Sequence, residues 1–397
     1  MLLGWSPPES TSPPVLPVTD RPTLIVVGAL PPPANGMTMM TGAVLGSRLA
    51  RSYRILHMDL SDHRDIGNVG RFDARNVALA LLHGLRFAVG LARGARLAYV
   101  PIGRDRPGFL RDSLMLLAAR LAGCQVVVHF HSREFVSSFY DREAAWMRAI
   151  IRSALGGRTH AIVLGTSRRR DFDGLVAPDR VHVLPNGVAD VGAGPPAAER
   201  RPEVLFLSLL RREKGVFDVL RAAAQIVARR PETRFTFAGS WYRDSERRQA
   251  ERFVSERGLG EAVAFVGPVS GEGKNALLRR AAVFAFPTRY ASEGHPLVLL
   301  EALSAGTPCV ATPIGAIPEI VDDQVGRLIP EGDTPALVDA LESLLANPAA
   351  RARMADAARR RYLEAFTLET FEKRLVTIMD AVADRRPTAR VRTEEPT

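Results

Sequence analysis

The feature that most constrains this chain is a pattern that runs through it twice. Short β-branched or aromatic runs alternate with longer amphipathic stretches, first in residues 21–189 and again in 203–366. In the first half the runs are Thr23–Gly28, Gln125–His131, Ala161–Leu164 and Val181–Leu184. Helical periodicity falls between them at 37–50, 73–93, 109–122, 141–155 and 167–176. In the second half the runs are Val204–Leu209, Arg234–Gly239, Ala262–Gly267, Val283–Pro287 and Pro308–Thr312. Helices are expected near 216–229, 244–258, 273–281, 297–305, 334–346 and 350–365. Short apolar runs separated by helical segments belong to parallel sheets covered on both faces. The expected class is therefore α/β, with two Rossmann-like, doubly wound parallel-sheet domains.

The alternation pauses at residues 190–202, DVGAGPPAAERRP, where glycine, proline, alanine and charge dominate, so this segment reads as the linker. Residues 1–20 are rich in proline and serine and are expected to form a loose tail. A last helical stretch at 367–384 is expected to pack back on the first domain, ahead of a charged tail at 385–397. Two such domains face each other across a central cleft, and ligands of open parallel sheets bind beyond the carboxyl ends of the strands. Motifs that follow strands therefore carry the most information.

Composition removes several classes. Of 397 residues, 46% are hydrophobic and 24% charged, which excludes a disordered chain and a disulfide scaffold. Cys124 and Cys309 stand far apart in apolar surroundings and read as buried reduced thiols, not as a zinc site or a redox pair. The net charge of +10 is almost all arginine, because Lys214, Lys274 and Lys373 are the only lysines. Such a surface suits nucleic acid, anionic lipid headgroups or phosphorylated substrates. Nucleic acid is set aside because the arginines are spread over both halves without aromatic interleaving. The N-terminal residues lack the basic and apolar regions of a signal peptide, and the apolar stretch Val77–Ala92 is broken by His83, Gly84 and Arg86. A cytoplasmic protein is expected. The stretches 73–93 and 109–122 fit a first domain resting on an anionic membrane to meet a lipid-linked acceptor, and they fit ordinary buried helices equally well.

The densest motif is the segment from Phe286 to Pro308. A strand ends at Pro287, and a loop leads to Pro296, which suits the first position of a helix. The first amides of that helix, at Leu297 and Val298, have no partner within it and form an anion site with its dipole. Glu293 precedes the helix, and Glu301 sits roughly 7 Å along its axis from Pro296. Ionised carboxylates accept from vicinal hydroxyls, so this pair suits two sugar rings on either side of a phosphate; a capping and a solvated glutamate are the alternative.

A second motif, Arg211-Arg212-Glu213-Lys214-Gly215, follows the first strand of the second half, and its cations suit a diphosphate or simply a solvated turn. A third, Asn35-Gly36, opens a helix after the first strand without the spacing of a dinucleotide fingerprint. A fourth places His129 and His131 on one face at a strand end, better read as cleft-lining groups than as metal ligands. Three resemblances in letters alone are rejected. Asp171-Phe-Asp173 lies in a charged helical stretch, Gly267–Asn275 has the wrong spacing for a phosphate loop, and no nucleophile elbow occurs.

On these residues the sequence resembles glycosyltransferase family 4, retaining enzymes of the two-domain GT-B fold, over about 23–380. Glu293-Gly294-x-Pro296 with Glu301-Ala302 and Gly306-Thr-Pro308 is similar to the family's E-x(7)-E signature. Lys214-Gly215, Leu184-Pro-Asn186-Gly187, Gly315 with Pro318-Glu319, and Phe130-His131-Ser132 are similar to its other conserved segments. Tyr99-Val100-Pro101 and Gly108–Asp112 resemble a branch associated with exopolysaccharide and cell-surface polysaccharide synthesis. The resemblance implies transfer of a sugar from an NDP-sugar donor to a glycan or lipid-linked acceptor, with retention of configuration and no metal. It assigns catalytic roles to His131, Glu293 and Lys214. It places the donor against Gly36, Arg211, Arg212, Val266, Gly267, Val269, Gly294, His295, Pro296, Leu297, Val298 and Glu301. The family's arginine five residues before the lysine is here Leu209, and Arg211 or Arg212 is expected to supply its charge. A non-catalytic homologue that binds the nucleotide sugar is the alternative, and a sugar-nucleotide epimerase is a further one.

Overall fold

In this computed structural model residues 21–31, 35–61, 74–103, 105–131 and 135–384 are described. The expected tails at 1–20 and 385–397, residues Pro32–Ala34 of the first loop, and Ser132 lie outside them.

Six strands form the first sheet: β1 (Thr23–Val27), β2 (Arg54–Met58), β3 (Ala95–Pro101), β4 (Gln125–His129), β5 (Thr159–Val163) and β6 (Val181–Val183). Their spatial order is β2-β1-β3-β4-β5-β6, and every pair is parallel. β2 and β3 were absent from the sequence reading. β2 is an edge strand whose Arg54 and His57 face solvent, which breaks the apolar run. β3 opens on Ala95-Arg96-Leu97, residues that extend the preceding helical pattern.

The helices of this half are α1 (Gly36–Leu45), α2 (Leu49–Ser52), α3 (Ala74–Ala92), α4 (Arg106–Leu121), α5 (Phe135–Ser138) and α6 (Ala145–Leu155). The single helix expected at 37–50 is two, interrupted at Gly46–Arg48, and the one expected at 167–176 is a tight 3₁₀ segment at Thr166–Phe172. α3, α4 and α6 cover one face of the sheet through Phe87, Phe109, Met115 and Ile151.

The second sheet contains β7 (Glu203–Leu207), β8 (Arg234–Ala238), β9 (Val263–Gly267), β10 (Val283–Phe286), β11 (Cys309–Ala311) and β12 (Gly326–Leu328), ordered β12-β11-β10-β7-β8-β9 and again parallel. Around it lie α7 (Val216–Arg229), α8 (Asp244–Glu256), α9 (Gly271–Arg280), α10 (Leu297–Ser304), α11 (Ile317–Ile320), α12 (Thr334–Ala346) and α13 (Pro348–Ala365). The final helix, α14 (Leu368–Asp384), leaves this domain and packs on the first sheet's other face, with Phe371, Leu375 and Met379 against Leu24, Val26 and Met40. Tyr53 Oη donates to Asp380 Oδ1 at 2.7 Å to fix its far end.

The chain thus passes between the domains twice, and the passages touch. Val188 N donates to the Phe366 carbonyl at 2.9 Å and Leu368 N to the Val188 carbonyl at 3.1 Å. At Gly187 a Cβ would lie 2.7 Å from Thr367 O, so glycine permits the approach. Both cysteines are free and buried, and burial pushes the Cys124 thiol up to about 12. Among the described residues no helix is long and apolar enough to cross a membrane.

Residues 190–202 contain no helix or strand, yet they are pinned to the second domain. Buried Arg200 donates to the carbonyls of Pro195, Ala281 and Ala305 and to Thr307 Oγ1, all at 2.9–3.0 Å. Burial, with Arg351 nearby, lowers its pKa to about 10, which leaves it charged at neutral pH. Arg200→Leu leaves these acceptors without their donor. A loss of about 3–5 kcal/mol is expected. It is read as a lower urea midpoint, and an unchanged midpoint would show that the guanidinium adds nothing to stability.

Candidate functional site

The carboxyl ends of β7, β9 and β10 carry three loops that meet at one lip of the cleft. Gly215, at φ +90°, ends the β7 loop, and a Cβ there would collide with the Pro287 carbonyl at the end of β10. Arg289 N donates to the Glu213 carbonyl at 2.7 Å, and its guanidinium reaches buried Asp218 Oδ2 at 3.0 Å. The two loops are therefore stapled together, and their charged side chains converge.

Lys214 Nζ lies 2.5 Å from Glu293 Oε2, with both side chains largely buried. Thr288 Oγ1 donates to the same oxygen at 3.2 Å, and the lysine sits 4.6 Å over the Tyr290 ring. Arg211 shares that ring at 4.9 Å, stacks on Tyr242 at 4.3 Å, and donates to Glu213 Oε2 at 2.8 Å. That hydrogen bond raises its pKa. Arg212 turns the other way, to Gln249 Oε1 on α8 at 2.7 Å and over Phe217. The geometry thus separates two arginines that sequence reasoning treated as interchangeable: only Arg211 stands beside Lys214.

Pro296 stands one position earlier than expected. With φ −65° and ψ 120° it is the N-cap, and α10 begins at Leu297. It supplies no side-chain cap and the first turn holds no acid, so the amides of Leu297 and Val298 have no partner within the helix and its dipole is uncompensated there. Glu301, one turn in, accepts from Lys274 Nζ on α9 at 2.6 Å. Each glutamate of the signature is thus paired with a lysine. Lys274 was missed, although its being one of only three lysines was a usable signal. Val266 is exposed at the end of β9, Gly267 takes φ +74°, and Val269 is half-buried in the loop before α9.

The first domain supplies the opposite wall. His131 is half-buried after β4, and its ring lies 4.0 Å from that of His129. Burial lowers the His131 pKa to about 4, so the imidazole is neutral at pH 7. His129 is fully buried, with Nδ1 2.5 Å from Tyr99 Oη and Nε2 without a partner. Among the described residues no three His, Cys, Asp or Glu side chains converge as a metal site would require. Gly36 is the first residue of α1, which Asn35 and Thr38 cap reciprocally, and a Cβ at Gly36 would meet nothing within 4 Å. Among the described residues nothing demands glycine there.

The walls touch behind these groups. A Cβ at Gly294 would collide with the His131 carbonyl and lie 2.9 Å from Leu164 Cδ1. Glu319 accepts from the Thr166 and Ser167 amides at 2.8 and 2.9 Å and from Ser167 Oγ at 2.6 Å. Burial pushes its pKa up, but these hydrogen bonds outweigh that and hold it below the usual range. Asn186 Nδ2 donates to the His295 carbonyl at 2.9 Å. His295 is buried, its Nδ1 has no partner, and burial lowers its pKa to about 4. Between pH 6.5 and 4 the unfolded histidine binds a proton that the folded one refuses, so stability falls on acidification. The loss attributable to His295 across that window is on the order of 3 kcal/mol. Melting temperature plotted against pH is expected to fall less steeply there in His295→Gln; parallel curves would contradict a buried neutral ring.

Residues 193–361 match the model of the family described as Glycosyl transferases group 1. The chain is 28% identical over 265 residues to alpha-D-kanosaminyltransferase from Streptomyces kanamyceticus, an alignment covering 60% of this chain and 66% of that protein. It is 30% identical over 279 residues to the GDP-mannose-dependent alpha-(1-6)-phosphatidylinositol monomannoside mannosyltransferase of Mycolicibacterium smegmatis, covering 64% and 72%. With sucrose-phosphate synthase from Thermosynechococcus elongatus it shares the fold at a TM-score of 0.70 and 20% identity, over 91% of this chain and 99% of that one. Two parallel sheets with a cleft between them thus define an α/β protein of the GT-B arrangement. The chain belongs to the group 1 glycosyl transferase family. Its match to the first curated relatives spans 62–66% of their length.

Proposed function

We propose that this protein transfers a sugar from an NDP-sugar to a glycan or lipid-linked acceptor, with retention of anomeric configuration, in the cytoplasmic synthesis of surface polysaccharide or another glycoconjugate. The observation that carries the reading is the double pairing at the lip: Lys214 with Glu293, and Lys274 with Glu301. Two carboxylates and two ammonium groups held in one cleft match the parts of a nucleotide sugar, whose hydroxyls need acceptors and whose diphosphate needs cations.

In this reading an arriving diphosphate takes Lys214 from Glu293, and Arg211 adds charge from the same ring-lined corner. Glu293, released, accepts from hydroxyls of the transferred sugar. Glu301 holds the ribose, and Lys274 fixes the orientation of its carboxylate. The amides at Gly294–Val298 face the sugar and phosphate, and neutral His131 offers a hydrogen bond from the opposite wall. As the bond between the anomeric carbon and the diphosphate oxygen breaks, the negative charge on the leaving group meets protein cations already in place. The acceptor oxygen enters on the face the diphosphate leaves, its proton passing to the departing phosphate oxygen. These cations do the work without a metal.

The test is product stereochemistry: NMR of the glycoside formed from each UDP- or GDP-sugar, with EDTA present. An α-donor giving an α-product supports the reading, and an inverted product or interconversion of the free donor overturns it.

A further inference from the structure

Six exposed large apolar side chains lie on α3 and α4. Leu81, Leu85, Leu114 and Leu121 are exposed by 70, 64, 71 and 91%, and Leu82 and Val89 by 40 and 41%. Their spacing is regular. Leu82, Leu85 and Val89 fall at i, i+3 and i+7 on α3, and Leu114 and Leu121 at i and i+7 on α4, so each helix carries an outward stripe. The inward faces are already filled by Phe87, Phe109 and Met115. The stripes therefore add nothing to the core, and between them runs a groove lined by Leu81, Gly84, Arg111 and Leu114.

Two exposed cations stand beside the stripes. Arg86 on α3 and Arg93 just past its end are exposed, and no acid pairs with either among the described residues. Burial, then Arg111, then Arg86 lower the pKa of His83, and Asp59 opposes them. The two acids of α4 and its cap are spent internally. Asp105 caps the helix through the Gly108 amide at 2.8 Å, and buried Asp112 accepts from the Gly103 amide and from Arg111. An outward apolar double stripe with the exposed Arg86 and Arg93 beside it is the complement of a lipid surface bearing anionic headgroups. A second copy of the chain would set the same arginines against each other across a two-fold axis. Position agrees. α3 follows β2 and α4 follows β3 in a parallel sheet, so both helices begin at the edge where the strands open on the cleft.

We propose that the α3–α4 face docks this protein on an anionic membrane, leucines in the headgroup region and arginines on the lipid phosphates. This deepens the donor-transfer reading, since it places a lipid-borne acceptor at the cleft, but the docking itself needs no nucleotide.

The test is co-sedimentation of the full chain with vesicles of phosphatidylcholine alone or mixed with phosphatidylglycerol, at low salt and without nucleotide. Binding to the mixed vesicles and not to the neutral ones is expected. Leu85→Glu with Leu114→Glu lowers that binding by about tenfold or more. Arg86→Ser with Arg93→Ser, at two exposed positions, also lowers it and flattens its dependence on salt. Melting temperature and nucleotide-induced stabilisation are measured on every variant and remain those of the wild type. Absence of vesicle binding, equal binding by wild type and the leucine variant, or a solution dimer that the leucine variant dissolves would each overturn the proposal. Vesicle binding with no response to any nucleotide would instead leave docking in place and remove the donor reading.

Discussion

Lys214→Ala lowers the affinity for UDP or GDP by about a hundredfold, the cost of removing a largely buried cation from a desolvated phosphate. Calorimetry on the full chain reads this directly, and unchanged affinity would remove Lys214 from the donor site. The unliganded geometry adds a sharper expectation. Because Glu293 holds Lys214 at 2.5 Å before any ligand arrives, a nucleotide must break that pair. Glu293→Gln weakens the competitor, so it binds free nucleoside diphosphate at least as tightly as the wild type while losing transfer by two orders of magnitude or more. The two substitutions therefore move nucleotide affinity in opposite directions, a pattern that a merely structural ion pair does not produce. A structural pair would lower the stability of both variants and leave the sign of the binding change the same.

The second large effect belongs to Gly294, whose Cα abuts the His131 carbonyl on the opposite wall. Gly294→Ala places a methyl group where that backbone atom stands, and neither side can yield by rotating a side chain. The domains must then part behind the active groups. A drop in transfer of about a hundredfold is expected, since displacing reacting groups by an ångström has effects of that size. Nucleotide affinity, which depends on the lip around Lys214, Arg211 and Glu301, stays within a few-fold. Comparable losses in binding and transfer would instead locate the damage in the second domain alone.

The parts of the site that could be read from the sequence are those where chemistry is dense within a few residues of a strand end. Glu293, Gly294, Glu301, Lys214 and Gly215 are of that kind, and the structure brings them to one lip. Pro296 missed by one position because a φ of −65° suits both the N-cap and the first helical residue; its ψ of 120° decides, and no local pattern reports ψ. Lys274 lies inside a segment set aside as a phosphate loop, yet it reaches Glu301, 27 residues away, because α9 and α10 are neighbours only once the sheet is formed. Glu319 joins Thr166 and Ser167 across more than 150 residues, and the orphaned nitrogens of His129 and His295 appear only when burial is known. In the fold, the strands with continuous apolar runs were legible. β2 was hidden by its solvent-facing Arg54 and His57, and β12 because Gly326-Arg327-Leu328 is not an apolar run.

The most direct test of the central claim, that the lip of the second domain receives a nucleotide sugar, is the thermal shift of the full chain against UDP, GDP, ADP and their sugar conjugates, with EDTA and then with magnesium. A ligand selective for the folded state at 100 times its Kd adds about 2.7 kcal/mol. The account predicts stabilisation by one base and its sugar conjugates that persists in EDTA and is lost in Lys214→Ala. Stabilisation by no nucleotide, or equal stabilisation of wild type and Lys214→Ala, would contradict it.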